Sequence, residues 1–319
     1  MKTMGFVISH KNNERRRTVV PKDIEKNIKN KSQLYFEKGY GESLGISDKE
    51  YEDCGCHIVD RETALSCDII TDVKLGDAEY LESVKDGKIL FGWAHAVQGI
   101  DFTSSVLKKK HTAIAWEEMY EDGRYILYRN REIAGESAIL HAFRYSGKMP
   151  YDCKVAIIGN GQTAKGALRM LHGLGAQVDV YGRKFENLFK KKMYEYDVLV
   201  ICVMWDTSRK DRIIYKEDLA KMKKGTLIID VSCDHGLEIE TSNPTTIDNP
   251  VYTVDGVIHY VVDNTPAMYP ITVTNILSEE LSKYIDQLIE DNYSDVLKKA
   301  IVINKGEIID QRIKEFQNR

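Results

Sequence analysis

The residues best spaced for chemistry lie in the passage KVAIIGNGQTAKGALRMLHGLGAQVDVYG. Gly159, Gly161 and Ala164 fit G-x-G-x-x-A, directly after an apolar run and at the head of a helical pattern. In such a turn the first glycine permits the tight bend and the second lets backbone approach a pyrophosphate. The small third residue lets helix meet strand. The pyrophosphate then rests on the helix N-terminus, where free N–H groups and the positive dipole end favour anions. Gly159, Gly161, Gln162, Thr163 and Ala164 are therefore expected to hold a dinucleotide. The end of the next strand selects which one. An Asp or Glu there accepts from the ribose hydroxyls of NAD, but this chain has Gly182, followed by Arg183 and Lys184. With no carboxylate to repel a 2′-phosphate and a guanidinium able to grip it bidentately, the pattern predicts NADPH/NADP+, with Arg183 and Lys184 at the phosphate.

A second candidate is His95, which closes the apolar run LFGWA. Open α/β sheets bind ligands beyond the C-terminal ends of their strands. A histidine of ordinary pKa, ~6.5, suits proton transfer near neutrality.

Such groups need strands whose ends converge. MGFVIS reads as a short strand followed by the basic loop KNNERRRTVVP. Pro21 and Asp23 mark a helix start, with periodicity to about Phe36. QLYFEKGYGESLGIS is a strand with a glycine loop, and Ser47-Asp48 opens another helix. CHIVD, CDIITDVKL and KILFGWA are short apolar runs with helical stretches between them, the alternation of a parallel α/β domain. From Arg131 a helical segment, REIAGESAILHAFRYSG, stops at Gly147 and Pro150. KVAIIG, QVDVYG, DVLVICV, GTLIIDVS and, less regularly, PVYTVDGV then read as the strands of a second doubly wound sheet. ITVTNILSEELSKYIDQLIEDNY is a long C-terminal helix expected to return to the first domain. The predicted fold class is α/β, with two domains that are each a mainly parallel doubly wound sheet, the second a Rossmann domain. The expected boundaries are residues 1–130 plus 275–319 for a substrate domain and 131–274 for the dinucleotide domain.

A chain of 319 residues is long enough to divide in this way. The formal net charge of -4 gives no general attraction to nucleic acid or anionic lipid. No run approaches the ~20 apolar residues that span a bilayer. The N-terminal apolar run is too short for a secretory signal, so a cytoplasmic location is expected. Of the six cysteines only Cys54 and Cys56 are closely spaced, which makes a poor zinc site. Reduced structural thiols and no metal are expected, with Cys202 a buried small hydrophobe.

Several blocks together resemble the family of alanine dehydrogenases, transhydrogenase dinucleotide-binding subunits and lysine-forming saccharopine dehydrogenases. ERRRTVVP, KGYGESLGISDKEYEDCGCHIV, DVKL, LFGWAH, REIAG, GTLIIDVSCDHG and HYVVDNTPAMYP follow one another in that family's order and cover nearly the whole chain. Within the family the chain is most similar to the short bacterial N5-(carboxyethyl)ornithine synthases. Those enzymes reductively join pyruvate to the side-chain amine of ornithine, or of lysine, using NADPH. Gly182 and His235 stand where alanine dehydrogenases usually carry an acidic residue and a glycine.

The resemblance implies an enzyme acting on a keto acid and a diamino acid, and a homo-oligomer. It makes His95 the catalytic proton shuttle and gives Lys74 a hold on the keto acid together with a possible share in proton transfer. It assigns Arg16 to a substrate carboxylate, with the register open by one to Arg15 or Arg17, and leaves the other two of the three as solvated loop residues. Asp234 is expected to bind a substrate ammonium or a ribose hydroxyl, and Asn264 and Pro266 to border the nicotinamide. Trp93 is read as packing. The alternatives are an NAD(P)-dependent alanine or saccharopine-type dehydrogenase, and a cofactor-binding sensor without chemistry. The presence of both His95 and Lys74 argues against the sensor.

Overall fold

The structure, a computed structural model, describes residues 1–206, 209–233 and 235–319. It divides into two compact units, Met1–Tyr128 with Tyr269–Arg319, and Arg129–Met268. The first unit contains β1 (Met4–Phe6), β2 (Leu34–Glu37), β3 (His57–Val59), β4 (Ile69–Asp72), β5 (Ile89–Gly92), β6 (Thr112–Ala115) and a hairpin of β7 (Tyr120–Glu121) and β8 (Arg124–Tyr125). The second contains β9 (Lys154–Ile158), β10 (Gln177–Tyr181), β11 (Val198–Ile201), β12 (Leu227–Asp230), β13 (Val251–Val254) and β14 (Val257–Tyr260). The chain then returns to the first unit for β15 (Ile301–Asn304) and β16 (Glu307–Ile308).

The first sheet runs β16-β15-β6-β5-β4-β1-β2-β3. It is parallel from β6 to β3, and β15 joins it antiparallel. Strands β4 and β6 are buried at every position, because a parallel sheet covered on both faces wants continuous apolar runs. The helix Pro270–Ile289 belongs to this unit and buries Val273, Leu277, Leu281 and Ile285. Ser278 on that helix accepts from Val20 N at 3.0 Å and donates to Asp23 at 2.6 Å, which fixes the start of helix Pro21–Asn27.

That first helix stops at Asn27 rather than continuing toward Phe36. The carboxylate of Asp286 takes the main-chain N–H groups of Lys29 and Asn30 at 2.9 and 3.1 Å, a tertiary contact that removes both from any helical ladder. Strand β2 then begins at Leu34.

The second sheet runs β10-β9-β11-β12-β14-β13 and is parallel except for β13. PVYTVDGV is therefore not a single strand. It is the first arm and turn of an antiparallel hairpin whose two-residue tip, Asp255-Gly256, has φ of 49° and 81°, the left-handed pair that matches strand twist. Helix Tyr128–Ala142 crosses helix Gln162–Gly173 at backbone contact. A Cβ on Gly166 would stand 1.9 Å from Glu132 O, and one on Gly135 would stand 2.1 Å from Thr163 O. Among the described residues no helix is long and apolar enough to cross a membrane.

Candidate active site

In the second unit, β9 ends at Ile158 and the chain turns sharply at Gly159, whose φ is 123°. A side chain there would strike Cys202 O at 2.2 Å, so this position requires glycine on two counts. Gly161 caps the helix Gln162–Gly173 and has no protein atom within 4 Å of a built Cβ, which leaves its backbone open to an approaching group. Gln162 and Thr163 are half-buried at the helix start and Ala164 is buried behind them. Strand, tight turn, open glycine and helix N-terminus are the features a pyrophosphate needs, so the residues present fit a bound dinucleotide. The parallel strand β10 ends at Tyr181 beside Ile158. Gly182, Arg183 and Lys184 follow, both basic residues exposed and neither in an ion pair among the described residues. Asn264 lies after β14 with φ 57°. Asp234 lies outside the described residues. The loop leading to it is tied by Asp230, fully buried, which accepts from Ser232 N at 3.1 Å and Cys233 N at 3.2 Å. Cys202, at the tip of β11, is half-buried rather than buried, since the strand ends one residue before it.

In the first unit, Lys74 and His95 follow β4 and β5, which are adjacent and parallel. The two following loops touch. Gly76 donates to Trp93 O at 2.9 Å, and a Cβ on Gly76 would lie 2.3 Å from Ala94 O. Lys74 is buried, and its main-chain N–H is held at 2.9 Å by the carboxylate of Asp72. Burial, then the charges of Lys11 and Arg16, bring the Lys74 ammonium down to about 8, against the opposing pull of Asp77 and Glu14. His95 as a residue is exposed. Surrounding protein, then the Lys74 charge, nevertheless lower it to about 4, so the imidazole is neutral at physiological pH.

Arg16 is almost fully buried. The carboxylate of Glu14 closes one edge of its fork, taking Nε at 2.8 Å and Nη2 at 2.5 Å, and the guanidinium lies 4.8 Å over the Trp93 ring. Of its neighbours, Arg15 is exposed, as expected for a loop residue. Arg17 is not. It is buried and donates to Tyr40 O and Arg16 O, because those carbonyls would otherwise be buried without partners. Trp93 packs edge-on against Trp116 and donates to Tyr125.

Four residues with no motif of their own, Glu117, Asp77, Lys11 and Glu14, complete the arrangement. Glu117, half-buried after β6, accepts from Ala94 N at 3.2 Å and His95 N at 2.6 Å. Desolvation raises its carboxyl to about 7 while those N–H groups pull the other way. Asp77 faces both Lys11, at 3.4 Å, and Lys74, at 3.9 Å. Lys11 and Glu14 share a turn closed by Glu14 N donating to Lys11 O at 3.0 Å. Three basic side chains, Lys11, Arg16 and Lys74, thus stand around the His95 loop together with the carboxyl groups of Glu14, Asp77 and Glu117. Among the described residues no cluster of His, Cys, Asp or Glu could hold a metal ion.

The fold and the glycine turn define a two-domain α/β oxidoreductase whose second unit is built for a nicotinamide dinucleotide. The family models of the alanine dehydrogenase/PNT N-terminal domain and C-terminal domain match residues 8–128 and 181–311. The chain belongs to that family. It is 32% identical to an N(5)-(carboxyethyl)ornithine synthase of Lactococcus lactis subsp. lactis, over 95% of this chain and 99% of the relative. It is 30% identical to an alanine dehydrogenase of Methanococcus maripaludis, over 92% and 88%. In structure it is similar to an L-alanine dehydrogenase with a TM-score of 0.83 at 22% identity, covering 99% of both chains. The second family match begins at residue 181, so the glycine turn stands as evidence independent of it.

Proposed function

We propose that this protein reductively condenses pyruvate with the side-chain amine of L-ornithine, or of L-lysine, using NADPH. Pyruvate, the amine, NADPH and a proton give N5-(1-carboxyethyl)-L-ornithine, NADP+ and water. The observation that carries this reading is that basic side chains from two separate loops, Lys11 and Arg16 on one and Lys74 on the other, act together on His95. A product with two carboxylates needs two such holds. The similarity to N(5)-(carboxyethyl)ornithine synthases supports the same choice.

Gly159, Gly161, Gln162, Thr163 and Ala164 would hold the pyrophosphate, Arg183 and Lys184 the 2′-phosphate, and Asn264 would border the nicotinamide. The chemistry that bound NADPH supplies is a hydride for the imine carbon. Arg16 and Lys74 bind the keto acid. A charged Lys74 beside the carbonyl also polarises it toward attack by the amine. Neutral His95 passes a proton from the attacking nitrogen to the carbonyl oxygen, and the proton of the overall equation, delivered through the same imidazole, turns that hydroxyl into water, which leaves as the C=N bond forms.

The test is a panel of NADPH-oxidation assays with pyruvate and ornithine, lysine or ammonium, with products identified by mass. Rapid turnover with ornithine or lysine and a secondary amine bearing two carboxylates is the expected result. Alanine from ammonium as the dominant product would replace this reading with that of an alanine dehydrogenase.

A further inference from the structure

We infer that Asp72 is a positioning residue for the reaction: its buried carboxylate fixes the backbone of Lys74 and so aims the Lys74 ammonium at the keto acid. The inference rests on the reading above, which gives Lys74 the keto acid, and it adds a residue that acts through Lys74 rather than on the substrate.

The geometry starts at the end of β4, where the chain leaves the sheet at Asp72. Asp72 is 1% exposed, and its carboxylate accepts the N–H of Lys74, two residues on, at 2.9 Å. In such an Asx-turn a side chain bonds its own backbone and fixes the way the strand is left. The carbonyl of Lys74 is held as well, by Asp77 N at 2.9 Å. With both main-chain groups tied, the Cα–Cβ direction of Lys74 is set. That matters for a charge carried on a flexible four-carbon stem, since a misplacement of about 1 Å can cost about a hundredfold in rate. Asp72 does this through the backbone, for the ion-pair partner of the Lys74 ammonium is Asp77, at 3.9 Å.

Asp72 is itself propped. Its second carboxylate oxygen accepts the Tyr80 hydroxyl at 3.1 Å, and Tyr80 is buried with the Arg61 guanidinium 5.3 Å over its ring. Arg61 donates to Ile8 O at 3.0 Å and to Glu37 at 2.8 Å, and the same Glu37 oxygen takes Ile8 N at 2.7 Å. The prop thus reaches from the end of β4 to the ends of β1 and β2. Burial raises the Asp72 carboxyl to about 6, against the pull of the Lys74 N–H, the Tyr80 and Ser9 hydroxyls and the Arg61 charge, so it is ionised at neutral pH. A buried carboxylate is costly unless its lone pairs are used, and one of its oxygens is spent on the residue that carries the candidate substrate cation. Asparagine offers Lys74 N the same acceptor without the charge, which separates shape from charge.

The experiment is a double-mutant cycle in the full-length protein. Asp72→Ala is made alone and in a Lys74→Ala background, with Asp72→Asn and Tyr80→Phe beside it. Pyruvate binding is measured by calorimetry in the presence of NADP+, turnover with pyruvate, NADPH and either ornithine or ammonium, and NADPH affinity by fluorescence titration. Asp72→Ala should cut turnover and pyruvate affinity about tenfold or more, the worth of one hydrogen bond to a charged group, with NADPH affinity unchanged. In the Lys74→Ala background, read on its residual turnover, the same change should cost almost nothing further, because no ammonium is left to aim. Asp72→Asn should stay close to the wild type. Tyr80→Phe should show a smaller loss than Asp72→Ala, again gone without Lys74, and this cycle decides if Asp72→Ala does not fold. Equal losses with and without Lys74 would overturn the assignment, and so would an Asp72→Asn protein as damaged as Asp72→Ala. Either result in an enzyme that still turns over ornithine leaves the condensation reading standing. A wild type that makes only alanine from ammonium, with losses at Asp72 that depend on Lys74, would uphold Asp72 and overturn that reading.

Discussion

The carboxylate of Glu117 accepts the main-chain N–H of His95 at 2.6 Å, and that histidine sits in the left-handed region at φ 45°. A non-glycine residue there costs roughly 1–3 kcal/mol and persists only where its surroundings impose it. Glu117 is part of that imposition, since it holds Ala94 N as well. The ring direction of His95 is therefore set by a residue from the next strand end. Glu117→Ala should lower turnover about tenfold or more, through loss of an ionic hydrogen bond worth ~1.5–3 kcal/mol. NADPH affinity, measured by fluorescence titration, should stay unchanged because the proposed cofactor residues all belong to the other unit. A loss of NADPH affinity equal to the loss of turnover would show general unfolding instead.

Lys74 gives the expected pH dependence. Its ammonium is brought down to about 8, so it is charged below that value and neutral above it. Pyruvate, an anion throughout this range, should bind well below pH 8 and progressively worse as pH rises past it. Calorimetric titration of pyruvate with NADPH present and amine absent isolates this effect from titration of the amine. Lys74→Arg should abolish the alkaline loss, because a guanidinium keeps its charge. An affinity flat to pH 10 in the wild type would remove Lys74 from the carboxylate. His95, neutral above about 4, should show no acid limb of its own near neutrality, and His95→Ala should cut turnover by about 10²–10⁴.

How much of this was legible in the sequence depends on the range of the interaction. Gly159, Gly161 and Ala164 were legible because strand, turn and helix are contiguous there. His95 stood out by its place at a strand end. Helix Pro21–Asn27 stops early because Asp286, far along the chain, takes the N–H groups of Lys29 and Asn30, and no local pattern carries that information. The Asp255-Gly256 tip is legible in principle, since Asp-Gly between apolar runs is a hairpin signal, but by its apolar pattern PVYTVDGV reads as one irregular strand. Glu14, Glu117, Lys11 and Asp77 occupy ordinary polar stretches, and only the convergence of separate loops gives them a setting. Among the three consecutive arginines, burial distinguishes Arg16 and Arg17 from Arg15, and hydrogen bonding then separates Arg16, held by a carboxylate, from Arg17, held by carbonyls.

The two glycines of the nucleotide turn should fail in different ways. Gly159→Ala must fit a Cβ 2.2 Å from Cys202 O at a φ of 123°, so the fold itself should suffer, with a clear fall in Tm. Gly161→Ala meets no protein atom within 4 Å and has an ordinary negative φ of -82°. Its stability should lie within about 0.5 kcal/mol of the wild type. NADPH binding should nevertheless weaken by tenfold or more if a pyrophosphate lies against that backbone. Thermal unfolding with and without NADPH separates the two outcomes. A Gly161→Ala protein that binds as tightly as the wild type would place the pyrophosphate elsewhere.

Cofactor choice turns on Gly182 and Arg183. A carboxylate at the end of β10 would hold the ribose hydroxyls of NAD and repel a 2′-phosphate, and the chain has glycine there. Arg183 is exposed and engaged with no described carboxylate, so its fork need not leave another partner to meet a phosphate. Lys184 beside it adds a second charge without the planar fork. Arg183→Ala should therefore raise the dissociation constant of NADPH about ten- to a hundredfold, the worth of one bidentate charge-assisted contact, while that of NADH changes little. Gly182→Asp should shift preference in the same direction by repulsion, even with Arg183 in place. Equilibrium titrations of both dinucleotides against the wild type and the two variants measure this without any substrate. A wild type that binds NADH more tightly than NADPH would sink the argument from Gly182, whereas an Arg183→Ala protein that still prefers NADPH would transfer the phosphate to Lys184.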